Sequence, residues 1–184
     1  MNKNDLFFPK EIEGQRVKLL KRNHAYDSDM WTLIDSSRLF LRRFLFWVDG
    51  IDALENVASS TTMFEKKWAE HETFDYLFIS QKTGELVGAG GVHSLNYHSN
   101  SAEIGYFLAE NQQGNGYVSE AVSLLENVLR KNGFHRVVLE IDEQNLKSIR
   151  VAQKAGYTFE GKMKDVYLAY DGYRTHDVYA KLIS

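Results

Sequence analysis

Cysteine is absent from this 184-residue chain, proline occurs once, at Pro9, and apolar runs are short. The missing cysteine excludes disulfides, thiolate metal sites and a cysteine nucleophile, and it fits a reducing compartment. A membrane helix needs about 20 consecutive apolar residues, and no stretch approaches that length, so no membrane partner is expected. The opening MNKNDLFFPKEIEGQR has no apolar core, so no secretory leader is expected either. Charge of one sign is also scarce: 25 acidic against 22 basic residues leave a formal net charge of −3. No global field draws nucleic acid. The six histidines show no metal-ligand spacing, and His93 and His98 flank a turn without a third ligand, so no metal is expected. These absences point to a soluble cytoplasmic protein, and the length suits one domain over residues 1–184.

What is present is an alternation of strand and helix patterns without linkers or repeats. Arg16 to Lys21 has strand character, and Tyr26 to Ser37 and Ala53 to Glu72 have helical periodicity. Between the two helices lies LFLRRFLFWV, Leu39 to Val48. Asp75 to Ser80 and Leu86 to Leu95 form a hairpin over Lys82-Thr83-Gly84-Glu85. Glycines at 88, 90 and 91 predict a bulge or the close approach of another backbone. Glu103 to Ala109 is a third strand, Tyr117 to Lys131 a helix, and Arg136 to Ile141 a buried parallel strand. Asn145 caps a helix that Gly156 ends. Thr158 to Ala169 and Tyr173 to Ile183 close the chain as a hairpin over Tyr170-Asp171-Gly172. The fold class is therefore mixed α/β, with helices on both faces of a largely antiparallel sheet.

Two glycines, Gly114 and Gly116, stand where the helix at Tyr117 begins. Backbone N–H groups at the positive end of a helix dipole make a cradle for phosphate. A dinucleotide-binding unit would also use such glycines, but here an antiparallel meander precedes the loop and too few βαβ units follow. A Walker A loop is excluded because no Gly-Lys-Ser/Thr follows. Taken alone, the loop also reads as a glycine-rich helix entry with no ligand.

The segments AEIGYFL, GNG, GFHRVVLEI, NLKSIRVAQKAGY and FEG, in this order, resemble the GNAT superfamily of acyl-CoA-dependent N-acyltransferases over roughly residues 16 to 183. Within it they look like the Rim-type branch, which acetylates N-terminal amines of ribosomal proteins. The resemblance implies a GNAT fold, with its sheet splayed in the middle, and acetyl-CoA as cofactor. It places the pyrophosphate on the amides of Gln113, Gly114, Asn115, Gly116 and Tyr117. The pantetheine arm would pair with the backbone of Phe107, Leu108 and Ala109, with Asn145 beside it. Many members carry Gln or Arg three residues before the first loop glycine. Asn111 stands there in this chain, so a phosphate-facing cation is missing.

An amine attacking a thioester must lose a proton, meet a polarised carbonyl and let the thiolate leave. Glu103 matches the acidic residue of the family's AEIGY segment and is the expected base, directly or through a water. Its competing reading is a salt-bridged carboxylate at a strand end. The tyrosine that many members use as acid falls at Ala152 here, leaving Ser148 as the substitute donor or as a small polar helix residue. Tyr157 reads as core. Carbonyl polarisation falls to a backbone N–H near Phe107 or Leu108. Leu39 to Val48 reads either as an amphipathic helix that buries Phe40, Phe44 and Trp47 with Arg42 and Arg43 solvated, or as part of the acceptor groove, with Phe46 and Trp47 walling the site and the arginines guiding an acidic or phosphorylated acceptor. The acceptor is a protein N-terminus or a small amine such as a polyamine, aminoglycoside or amino sugar. A non-catalytic acyl-CoA-binding domain is the rival of another class. The resemblance also carries the expectation of a homodimer.

Overall fold

The computed structural model describes residues 3–183. Its eight strands are β1 Glu11–Ile12, β2 Val17–Lys21, β3 Phe74–Ser80, β4 Leu86–Asn96, β5 Ser101–Leu108, β6 Arg136–Asp142, β7 Thr158–Ala169 and β8 Gly172–Leu182. They form a sheet in the order β1-β2-β3-β4-β5-β6-β8-β7. Helices α1 Asp27–Ser36, α2 Arg38–Leu41 and α3 Leu54–Ala69 precede the β3–β4 hairpin; α4 Tyr117–Lys131 and α5 Leu146–Lys154 flank β6.

Both faces of the sheet are covered, and β3 shows why its sequence, FDYLFIS, is almost continuously apolar. Phe74, Tyr76 and Phe78 join the core under α4 and α5, while Leu77 and Ile79 join the core under α1 and α3. In α4, Ala121, Val122, Leu125 and Leu129 recur at helical spacing and are buried. The polar side chains of β7 leave it mostly exposed at the sheet edge.

The sheet divides at β5. Strands β5 and β6 run parallel and pair only at Ser101↔Arg136, Ala102↔Val137 and Glu103↔Val138. Beyond Glu103, β6 continues its antiparallel pairing with β8 as far as Asp142↔His176, and β5 continues with β4 as far as Leu108. From Ile104 onward one edge of β5 has no partner strand, which is the splay implied by the resemblance.

The glycines of β4 meet both expectations for them. A Cβ at Gly88 would lie 2.2 Å from the Phe107 carbonyl oxygen, and one at Gly91 would lie 2.1 Å from that of Phe74. The β3–β4 register also slips between Phe78 and Ile79.

Several element ends differ from the sequence reading by one to three residues, and two differences bear on the site. Leu39 to Val48 is not one amphipathic helix: α2 stops at Leu41 and a 3-10 turn covers Phe46–Gly50. The Arg38 guanidinium donates to the carbonyls of Val48 and Ile51 at 2.9 and 2.7 Å, folding the segment back on itself. The third strand ends at Leu108; Ala109 is buried outside it, and its N–H donates to the Val87 carbonyl at 2.9 Å.

Candidate active site

The residues that begin α4 are fixed before the loop can present its amides. Tyr117 and Ser80 share a buried hydroxyl–hydroxyl hydrogen bond of 3.0 Å, tying the first helical residue to β3. One turn on, the Glu120 carboxylate accepts from the N–H groups of Gln15, Arg16 and Val17 at 2.8, 2.7 and 2.9 Å. This draws Arg16 across the helix start, where its Cδ lies 3.4 Å from the position a Cβ on Gly116 would take. Gly114 and Gly116 have φ of 84° and 78°, the left-handed region that glycine enters without strain. No side chain caps α4, so its first N–H groups stay open to an anion.

Two cavities meet at the splay. The first, about 540 Å³, runs from Gln113, Gly114, Gly116 and Tyr117 to the outer face of α5, where Lys147, Arg150 and Lys154 line it. The second, about 570 Å³, lies under α1 and α3 and contains Glu103, Phe46 and Trp47. Both are lined by Phe44, Leu45, Tyr106, Phe107, Asn145 and Ser148, so these residues mark the junction.

Phe107, Leu108 and Asn145 therefore stand in the first cavity with the loop. The Asn145 side chain is used locally as well: its carbonyl accepts from the Ser148 N–H at 3.2 Å and starts α5. Ala109 does not line the cavity, and the Asn115 side chain turns back to the Gln112 carbonyl at 3.1 Å, leaving only its backbone to the loop. Arg42 lines neither cavity. It pairs with Asp49 at 2.9 Å and lies over the Tyr170 ring at 4.4 Å, because the broken helix turns it towards the β7–β8 hairpin. Arg43 lies over Phe44. Trp47 packs edge-on against Phe107, ring centroids 5.3 Å apart.

The second cavity gathers titratable groups on one face of the sheet. Glu103 lies 3.5 Å from His93, its register partner on β4, and burial pushes its carboxyl up against an opposing hydrogen bond from Ser94. Glu140, on β6, is pushed up by burial and then by the negative charge of Glu103. Burial holds His93 and His176 below the ordinary imidazole value. At the junction, burial pushes Tyr106 up to about 12, with the Ser148 hydroxyl opposing. Ser148 is the polar neighbour of the Tyr106 hydroxyl, which is buried without a hydrogen-bond partner among the described residues. Such a group stays protonated at neutral pH and is a donor.

Sequence reading missed Tyr106, His93, Glu140 and Arg16. Tyr106 stands in EIGYF, three residues from the expected base, with no sequence signal that sets it apart from any strand aromatic. Lys147, Arg150 and Lys154, at helical spacing of three and four, could have been read as one cationic face. Arg16 had no signal, because its place depends on Glu120, more than 100 residues away.

Residues 19–158 match the acetyltransferase (GNAT) domain family. The chain belongs to the GNAT acetyltransferase family. Among GNAT relatives, the ribosomal-protein-serine acetyltransferase of Escherichia coli is 25% identical over 179 residues, covering 95% of this chain and 96% of that one. The solved microcin C7 self-immunity acetyltransferase MccE, in complex with acetyl-CoA and AMP, superposes with a TM-score of 0.89 at 20% identity, covering 95% and 97% of the two chains. The RimL ribosomal L7/L12 α-N-protein acetyltransferase in complex with coenzyme A gives 0.88 at 22% identity, covering 94% and 97%. These likenesses establish the GNAT fold, and the family makes the protein an acyltransferase.

Proposed function

We propose that this protein transfers an acetyl group from acetyl-CoA to a primary amine, and that its acceptor is the N-terminal α-amine of a cytoplasmic protein such as a ribosomal protein. One observation carries the reading: a phosphate cradle and a carboxylate-bearing cavity meet where β5 loses its partner strand.

The residues present fit acetyl-CoA. The loop offers two left-handed glycines and an uncapped helix start to a pyrophosphate. Arg16 beside Gly116, and Lys147, Arg150 and Lys154 along the cavity, supply the positive charge that Asn111 does not. The unpaired edge of β5 at Leu108 offers main-chain groups to an extended amide arm, while Phe107 turns its carbonyl to β4. When bound, acetyl-CoA supplies the activated acyl group. This chain's residues then have three tasks. The carboxylate side of the acceptor cavity, with Glu103, favours loss of a proton from the incoming ammonium. Backbone N–H groups near Phe107 polarise the carbonyl. The hydroxyls of Ser148 and Tyr106, at the junction, donate towards the departing sulfur.

A peptide acceptor is supported by the end-to-end likeness to a ribosomal-protein-serine acetyltransferase and by the cavity wall. That wall is largely apolar, with Met30, Ile34, Trp47, Val57 and Met63, and of its two cations, Arg22 and Lys67, Arg22 is paired with Asp75 at 3.4 Å. The apolar wall suits the first side chain of a peptide. The test is radiolabelled acetyl transfer to a panel of N-terminal peptides, the same peptides with blocked α-amines, spermidine and an aminoglycoside. Label is expected on free α-amines only. Label on spermidine alone would refute the peptide acceptor, and cofactor binding with no transfer to any amine would leave a non-catalytic domain.

A further inference from the structure

Among the titratable groups of the acceptor cavity that the reading above leaves without a task, His93 stands beside Glu103. Three features of the backbone aim it. It stands opposite Glu103 on β4, and the β4–β5 register breaks immediately after it, between His93 and Asn96. Ser94, inside that bulge, takes a φ of 51°, a costly conformation for a residue with a side chain. Bulges of this kind re-aim neighbouring side chains and recur beside active sites. Across the pair, Gly105 leaves room for the ring: a Cβ there would sit 2.6 Å from His93 Nε2.

The two ring nitrogens consequently face different surroundings. Nδ1 lies 3.5 Å from Glu103 Oε2 and 3.3 Å from Ser94 Oγ, while Nε2, over Gly105, has no hydrogen-bond partner among the described residues. A carboxylate beside Nδ1 selects the Nδ1–H tautomer and leaves the lone pair on Nε2. Position along β5 bears on which group reaches an amine attacking a thioester held near Phe107. Successive residues advance about 3.4 Å, so Glu103 and Phe107 are about 14 Å apart along the strand. One glutamate side chain does not cover that distance. His93 Nε2, over Gly105, stands about halfway.

We propose that His93 Nε2 is the base that meets the acceptor amine, and that Glu103 is a positioning residue acting through Nδ1. This rests on the acetyl-transfer reading above. Nε2 takes one proton from the acceptor ammonium: an N–H bond breaks, an Nε2–H bond forms, and the lone pair left on the amine makes the new C–N bond as the C–S bond breaks with its electrons going to sulfur. The nitrogen's surplus proton passes to sulfur through the Tyr106 hydroxyl, and the imidazolium later returns its proton to water. The groups facing the ring are Glu103 on β5, Glu140 on β6, His176 on β8, Lys67 on α3 and the Arg22–Asp75 pair. Burial and Lys67 favour the neutral ring, and Glu140 opposes them. The neutral ring is the form a base requires.

Steady-state rates against pH, with one acceptor peptide throughout so that the amine's own ionisation is common to all, test the assignment. His93→Gln is expected to lower kcat about 100-fold or more, the scale of a lost general base, to leave acceptor KM within a few-fold, and to remove the enzyme's acid limb. Glu103→Gln is expected to lower kcat about 10-fold and move that limb to lower pH, because the imidazolium loses a neighbouring negative charge. An unchanged limb in His93→Gln, together with its loss in Glu103→Gln, would overturn the proposal and make Glu103 the base. Nitrogen-15 NMR of the wild-type imidazole provides a readout independent of turnover: Nδ1–H is expected, and an Nε2–H tautomer would also overturn it. Should His93→Gln not fold, Gly105→Ala displaces the ring without removing a titrating group, and wild-type kcat in that variant would count against the base. A wild-type protein that transfers to no amine would instead sink the acetyl-transfer reading itself.

Discussion

At Gly116 the backbone has a φ of 78°, and a Cβ there would lie in contact with the Arg16 arm, 3.4 Å from its Cδ. A β-branched residue is strained in that conformation by roughly 1–2 kcal/mol. Gly116→Val should therefore lower Tm by a few degrees and, more tellingly, abolish the rise in Tm that acetyl-CoA gives; an undiminished rise would move the cofactor elsewhere. Glu103 carries a stability consequence with a definite sign. Burial raises its folded pKa above the unfolded value, so the stability it contributes is complete below the unfolded carboxylate value and is lost as pH rises through the folded one. Glu103→Gln never ionises. Its Tm should exceed wild type at pH 8 and the gap should close towards pH 4, as denaturation scans across that range would show. Arg42→Ala should leave the acceptor KM unchanged, since Arg42 is engaged with Asp49 and Tyr170 outside both cavities.

Among the elements, α4 depends on a contact made outside it. Glu120→Ala removes the acceptor of three N–H groups from residues 15–17. Hydrogen bonds to a charged group are worth about 1.5–3 kcal/mol, and the loss should appear as about 2 kcal/mol in urea unfolding. Acetyl-CoA should also bind more weakly, because Arg16 is released from the helix start. The helices and central strands were legible because each obeys a local rule. The apolar spacing of α4, the Asn145 cap of α5 and the alternation through β5 need only neighbours in sequence. Segments governed by distant partners were not legible. Leu39 to Val48 broke into pieces because Arg38 reaches carbonyls 10 and 13 residues on. The same division holds at the site. Glu103, Ser148 and the loop glycines came from contiguous motifs, whereas His93 depends on a cross-strand register and a bulge, and Tyr106 on which face of β5 meets α5.

Taken as a whole, the molecule carries a small net negative charge of −3 while its first cavity is lined by Lys147, Arg150 and Lys154. Attraction for a polyanionic cofactor is thus local, and Kd for acetyl-CoA measured by calorimetry should weaken as salt rises. At 100-fold excess over Kd the bound form gains about 2.7 kcal/mol by linkage, enough to read in a melt. No helix of the described residues is long and apolar enough to cross a membrane. The sheet also has a mechanical consequence. Its two halves are stitched by three rungs, and Glu103 is the last of them. A ligand filling the wedge where the strands part bridges the two halves beside that last rung, and Glu103 sits at the pivot between them. Filling the wedge should then be felt at a distance, as slower amide hydrogen exchange at Val137 and Val138.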